Sequence, residues 1–131
     1  MTYRIFLVDD DKFLLDLYAV KFKNAGQEVS VFNNGEELLA ELRKPDLKAP
    51  DAILVDVVMP GLNGFETIQA MHKEGLGKGS KIIFLSNQGQ DSDFEQAKQL
   101  AADGYIVKAS AIPSEVYAEA IRTIEGGELT K

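Results

Sequence analysis

Short apolar runs of strand length alternate along this chain with longer segments whose apolar positions recur at helical spacing, and the alternation repeats five times. Tyr3 to Val8 is a β-branched and aromatic run that stops at three consecutive aspartates, which predicts a buried strand. Asp10 or Asp11 then offers a helix cap, and Phe13, Leu14, Leu17, Tyr18, Val20 and Phe22 carry a helical pattern as far as Asn24-Ala25-Gly26. Glu28 to Phe32 returns to strand character, and Asn33-Asn34-Gly35 opens a second helix with Leu38, Leu39 and Leu42 that ends before Pro45. Ala52 to Val55 is almost wholly apolar, as suits a central parallel strand covered on both faces, and it closes at Asp56. After the turn-rich Met59-Pro60-Gly61-Leu62-Asn63-Gly64, a third helix is lined by Phe65, Ile68 and Met71. A linker through Gly75, Gly77 and Gly79 leads to a strand from Lys81 to Leu85 that ends at Ser86. A fourth helix is predicted over Asp91 to Ala102, and a fifth strand, Tyr105 to Val107, ends at Lys108. Pro113 suits the first turn of a last helix marked by Val116, Ala120, Ile121 and Ile124.

Five such units predict a parallel sheet with right-handed crossovers and helices on both faces. Ligands of sheets of this kind bind at the carboxyl ends of the strands. Asp9, Asp10, Asp56, Ser86 and Lys108 stand at the tips of four different strands, so a single sheet edge collects them. Carboxylates crowded together repel one another unless a cation sits among them, and an all-oxygen ligand set points to Mg²⁺ or Mn²⁺ rather than zinc. Lys108 supplies compensating charge and a point contact for a phosphoryl oxygen. A carboxylate nucleophile, a divalent cation, a hydroxyl donor and a lysine are the parts that phosphoryl transfer needs, and an aspartate that attacks phosphorus becomes an acyl phosphate.

Composition narrows the setting. The 131 residues, 45% hydrophobic and 27% charged, suit one domain that buries roughly two-thirds of its unfolded surface. The chain has no cysteine, which excludes zinc ribbons, thiol nucleophiles and disulfide frameworks. Fourteen basic against 21 acidic residues give a net charge of -7, a surface that repels nucleic acid phosphates. No apolar run approaches membrane-spanning length and the start lacks signal-peptide order, so the expectation is a cytoplasmic domain with neither nucleic acid nor membrane as partner.

Four segments together resemble the receiver domain of two-component response regulators: Leu7-Val8-Asp9-Asp10-Asp11, Asp56 through Gly64, Phe84-Leu85-Ser86, and Asp103-Gly104-Tyr105-Ile106-Val107-Lys108. The likeness runs from about Tyr3 to Glu125. It implies a flavodoxin-like fold with a five-stranded parallel sheet in the order 2-1-3-4-5. It implies further that Asp56 accepts a phosphoryl group from a histidine kinase or phosphotransfer protein. Asp9, Asp10, Asp56 and the backbone carbonyl of Val58 would hold Mg²⁺. Ser86 and Lys108 would contact the phosphoryl oxygens, and Tyr105 falls at the family's aromatic switch position. A domain of this kind is a phosphoacceptor with self-catalysed phosphorylation and dephosphorylation, not a conventional enzyme. Residues 1–126 would form the receiver domain and 127–131 a short tail with no output domain attached. Signalling would then act on another chain, either a protein partner or a second copy in a phosphorylation-dependent homodimer, with Phe94, Lys98, Tyr105, Tyr117 and Arg122 as candidate contacts and core packing as the alternative for Phe94 and Tyr117.

Three positions depart from the family pattern. Ala109 replaces the proline that normally follows the lysine in a cis peptide, and a non-proline cis bond costs about 3 kcal/mol, so a trans bond and a reshaped loop before Pro113 are expected. Asn87 is bulkier than the usual small residue. Ala101 stands where glycine is frequent, so the end of the fourth helix should be shaped differently. The main alternative is a haloacid-dehalogenase-like phosphatase with Asp9 as nucleophile, which would need a further acidic pair after the lysine and leaves Asp56 without a task. A receiver-like module that is never phosphorylated would not need all five site residues. Gly75 to Ser80 has the wrong spacing and position for a P-loop, and His72, beside Lys73 and Glu74, reads as part of a solvated face.

Overall fold

The computed structural model describes residues 1–130. The apolar runs form β1 (Arg4–Val8), β2 (Glu28–Phe32), β3 (Ala52–Asp56), β4 (Lys81–Ser86) and β5 (Gly104–Val107). The helical patterns form α1 (Lys12–Asn24), α2 (Gly35–Leu42), α3 (Gly64–Lys73), α4 (Asp91–Gln99) and α5 (Pro113–Ile124). All strands pair in parallel, in the order β2-β1-β3-β4-β5, which is the expected flavodoxin-like sheet.

The period-two alternation of the strands divides the core into two layers. Phe6, Val8, Ile53, Val55, Ile82, Phe84 and Tyr105 point to one face, where they meet Leu38 and Leu42 of α2, Phe65, Ile68 and Met71 of α3, and Ala97 of α4. Ile5, Leu7, Ala52, Leu54, Ile83, Leu85 and Ile106 point to the other, against Leu15, Tyr18 and Phe22 of α1 and Val116 and Ala120 of α5. β3 is buried along its whole length, as its unbroken apolar run requires.

Caps set where the helices start. Asp11, not Asp10, caps α1, its Oδ1 accepting from Leu14 N–H at 3.1 Å. That leaves Asp9 and Asp10 free of capping duty. Asn63 and Glu66 close a reciprocal capping box at α3, and Pro113 takes the first turn of α5 as expected.

The helical row of α1 divides between two faces: Leu15, Tyr18, Ala19 and Phe22 are buried, whereas Phe13, Leu17 and Val20 are exposed at 75%, 42% and 57%. A helix wrapped on one side of a sheet buries one stripe, and these three fall on the opposite one. The end of α4 keeps the glycine-type geometry although alanine occupies it. The helix stops at Gln99, three residues before the predicted end, and Ala101 adopts φ 58. It is the one non-glycine residue with positive φ among the described residues. Ala102 N–H donates to Ala97 O at 3.0 Å and Ala101 N–H to Lys98 O at 3.0 Å, closing the turn. The reshaped loop before Pro113 is present as a 3₁₀ turn over Lys108–Ser110, and no cis peptide bond occurs among the described residues.

A left-handed conformation costs a residue bearing Cβ about 1–2 kcal/mol, which glycine avoids. Ala101→Gly is therefore expected to stabilise the fold by about 1 kcal/mol and to raise the thermal midpoint by about 3 °C. A midpoint below that of the parent chain would contradict this account of the α4 terminus.

Candidate functional site

The carboxyl ends of β1, β3 and β4 and the residue after β5 converge at one edge of the sheet. In β1, in-register pairing with β3 sets Val8 beside Val55, so Asp9 and Asp56 follow side by side. Both are buried, at 1% and 3% exposure. Main-chain bonds hold these strand ends: Asp9 N–H donates to Phe32 O at 3.1 Å and Val57 N–H to Leu85 O at 2.9 Å. Asp10 stays exposed. Carboxylate oxygens of Asp9, Asp10 and Asp56 all lie within 4.8 Å of one another.

Lys108 enters from the end of β5 and bridges two of the three acids. Its Nζ lies 3.1 Å from Asp9 Oδ2 and 3.3 Å from Asp56 Oδ2. The other Asp9 oxygen, Oδ1, accepts the Asp11 N–H at 3.0 Å. Asp56 Oδ1 is different, since it is buried and has no hydrogen-bond partner. Both Asp9 oxygens are engaged, then, while Asp56 keeps one acceptor oxygen open. Buried polar atoms in folded proteins are rarely left this way unless a ligand or reaction uses them.

The electrostatics follow from the geometry. Burial pushes the Asp56 carboxyl up from the ordinary aspartate range to about 7; the Asp9 charge adds to the rise and Lys108 opposes it. Burial works to lower Lys108, but the attraction of Asp56 and Asp9 outweighs it and raises the ammonium above its usual value. Three oxygen donors of one sign, an unpartnered buried oxygen among them, fit a hard divalent cation such as Mg²⁺ or Mn²⁺.

Ser86 ends β4 at 1% exposure, and its Oγ accepts Gly89 N–H at 3.1 Å. Asn87 is exposed and lines a groove with Ser86, Val57, Val58 and Gln88. Val58 is 61% exposed at the lip of that groove. Tyr105 lies one strand further out, ring inward at 5% exposure, its hydroxyl buried without a partner. Phe94 packs edge-on against it with ring centroids 5.3 Å apart. Tyr117 does not share this surface. It packs edge-on against Phe22 on the α1 side and its hydroxyl accepts from Gln27, so it is removed from the candidate contacts.

Sequence reasoning named Gly64 only as the end of a turn-rich loop and family segment, and passed over Gly89. Gly64 lies so close behind the site that a Cβ there would stand 2.3 Å from the Asp56 carbonyl oxygen, and its N–H donates to Val57 O. Gly89, at φ 65, brings its N–H to Ser86 against the Val107 side chain. Glycine at the end of a loop is the signal that could have marked both.

The sequence model of the response regulator receiver domain matches residues 5–118. The chain belongs to the response regulator receiver domain family. Among curated proteins, this receiver domain is 31% identical to the regulatory protein VanRc of Enterococcus gallinarum over 108 residues, 82% of this chain and 44% of that protein. It is 28% identical to the alkaline phosphatase synthesis transcriptional regulatory protein PhoP of Bacillus subtilis, over 98% of this chain and 51% of that one. The chain thus spans about half the length of these relatives. Among solved structures, the Vibrio cholerae chemotaxis protein CheY4 superposes with a TM-score of 0.82 at 26% identity, covering 94% of this chain and 99% of that one. The BeF3-activated DrrB receiver domain superposes with a TM-score of 0.78, also at 26% identity, over 95% and 99%. No helix of the described residues is long and apolar enough to cross a membrane.

The raised Asp56 carboxyl gives the metal-free fold a signed pH dependence. An unfolded aspartate ionises near 4, whereas the folded one holds its proton to about 7. Folded protein therefore binds more protons in that window, and stability falls as pH rises through it and levels off above. Asp56→Asn removes the ionisation and should stabilise the chelator-treated protein by on the order of 2–4 kcal/mol at pH 8 but little at pH 4.5. Urea unfolding at the two pH values measures this, and an equal gain at both would refute it.

Proposed function

We propose that this receiver domain takes a phosphoryl group on Asp56 in a reaction that requires Mg²⁺ or Mn²⁺, with a histidine kinase or phosphotransfer protein as donor. The observation that carries the reading is the unequal pair of acids. Lys108 and the Asp11 N–H occupy both oxygens of Asp9, and Asp56 retains an open one, Oδ1.

Asp9, Asp10 and Asp56, with the Val58 carbonyl on the lip, would hold the cation. When bound, it would neutralise the acids and the phosphoryl oxygens and so let two negative groups approach. Asp56 reacts as the carboxylate. Its free oxygen attacks phosphorus, the new O–P bond forms as the bond to the donor's imidazole nitrogen breaks, and the imidazole leaves and takes a proton from water. Lys108 Nζ is positioned to swing part of its interaction from the Asp56 oxygen to a phosphoryl oxygen, keeping one positive charge beside the growing negative charge. Ser86 exchanges its bond to the Gly89 N–H for donation to a second phosphoryl oxygen.

The donor needs a surface next to this pocket. Phe13, Leu17 and Val20 line an apolar cleft with Pro113, and Ile112 is 61% exposed beside it. α1 begins directly after the aspartates, and Ile112 and Pro113 close the loop that starts at Lys108, so the apolar face adjoins the acceptor. A helix of the phosphodonor fits such a face. Readout would use the opposite flank, where Phe94, Lys98, Tyr105 and Arg122 remain candidate contacts for a downstream protein or a second copy. The Asp9-nucleophile phosphatase reading gains no support from an Asp9 carboxylate engaged at both oxygens.

Incubation with acetyl phosphate and Mg²⁺ should add one phosphoryl mass to the intact chain, labile to hydroxylamine, and Asp56→Asn should abolish it. Excess chelator should abolish it as well. Peptide mapping that places the label on Asp9, or equal labelling in chelator, would overturn the assignment. Asp10→Ala should slow labelling by tenfold or more and Asp11→Ala by much less, because Asp11 serves as the α1 cap.

A further inference from the structure

After α5 the chain turns back on itself. Gly126 adopts φ 103, Gly127 N–H donates to Arg122 O at 2.8 Å, and Arg122 Nη2 donates to Glu128 O at 3.1 Å. Leu129 then packs, partly buried, against the core layer that holds Ala97, Ala102 and Tyr105. α5 itself belongs to the other layer, through Val116 and Ala120. β5 is the outermost strand on this side of the sheet. The segment leaves α5 on one face and delivers Leu129 to the other, and the free edge of β5 lies between them. Thr130 accordingly lines a cleft of about 260 Å³ together with Tyr105, Ile106 and Val107.

The edge it crosses is the sensitive one. An uncovered edge strand presents unpaired N–H and C=O groups to any passing chain, and a covering segment removes that liability. Tyr105 lies on the same strand with its hydroxyl buried and unpartnered, a position a tyrosine leaves for water unless the ring is held in place. The strand ends at Val107, and the next residue is Lys108, which holds Asp9 and Asp56.

We propose that residues 126–130 form a strap round the β5 edge that clamps the Tyr105 ring inward and, through β5, favours the arrangement of the acceptor pocket that a phosphoryl group also favours. When the strap releases, Tyr105 swings out and the β5 edge opens to a partner. The first half stands on geometry alone. The coupling to the pocket rests on the phosphoacceptor reading of Asp56.

The test uses the full chain labelled with fluorotyrosine, whose 4 tyrosines give separable ¹⁹F signals, with Tyr105→Phe assigning the relevant one. Two variants release the strap from different ends. Leu129→Asp removes the apolar anchor, and Gly127→Val places a Cβ 2.4 Å from Arg122 Nη1 and 2.8 Å from the Arg122 carbonyl oxygen. Both should move the Tyr105 signal toward that of an exposed tyrosine and speed amide exchange in β5 at least tenfold, with thermal midpoints close to the parent's. An unchanged Tyr105 signal and unchanged β5 exchange in both variants would overturn the strap. Beryllofluoride titration with Mg²⁺ supplies the second arm. Binding to the parent chain supports the acceptor reading, and at least threefold weaker binding to both variants supports the coupling. Equal affinity would overturn the coupling, and failure of the parent to bind would overturn the acceptor reading while leaving the strap result in place.

Discussion

One ammonium group between two buried carboxylates organises this molecule. Lys108 Nζ is within 3.3 Å of an oxygen of both Asp9 and Asp56, and neither acid is exposed by more than 3%. Burying one carboxylate without compensation is costly, and burying two side by side adds their repulsion. The lysine lessens both costs without abolishing them, as the upward push on Asp56 shows. The pocket is thus an arrangement still short of positive charge, held open by a fold stable enough to tolerate it. That deficit is the chemical basis for expecting a divalent cation to bind among these acids.

The rest of the architecture can be understood as the means of delivering that lysine. β5 is a short edge strand of four residues, and its tip must reach across β4 and β3 to the β1 terminus. The 3₁₀ turn at Lys108–Ser110 directs the chain away after the lysine and into α5, whose Val116 and Ala120 anchor the return in the α1 layer. On the opposite side, Gly64 lets α3 begin against the Asp56 carbonyl, so the end of β3 is backed by main chain with no side chain between. An edge strand with this duty is exposed to fraying, and the strap from α5 lies where fraying would begin.

The same packing gives the domain two flanks of different character. α1 buries one stripe and shows Phe13, Leu17 and Val20 to solvent, on the helix that follows the aspartates. The α4 and β5 flank instead carries conformational strain and unmet polar valence: Ala101 is left-handed, and the Tyr105 hydroxyl has no partner. An exposed apolar face suits recognition of an incoming chain, and a flank with small stored costs suits a response, since modest contacts can tip it.

Much of this was legible in the residues alone. Alternation of strand and helix periods located all five units, the apolar run Ala52 to Val55 identified a central strand, and the polar residues that end four strands marked the edge where the site lies. These are local signals, and parallel topology forces such strand ends to converge. Which aspartate caps α1 was left open between Asp10 and Asp11, because either side chain can reach a first-turn N–H and only the turn geometry selects Asp11. Helical spacing did not separate the exposed Phe13, Leu17 and Val20 from the buried stripe of α1, because a period says that residues share a face but not which face meets the sheet. The same limit left Tyr117 open between the output surface and the core, and its packing on Phe22 decides for the core. Ala101 was expected to change the end of α4, yet the main-chain bonds of Ala101 and Ala102 impose the left-handed turn on a residue that disfavours it. The crossing of residues 126–130 from one core layer to the other left no mark in the sequence. A short glycine-containing segment has no period, and its path depends on where the β5 edge and the Leu129 site lie once the sheet has formed.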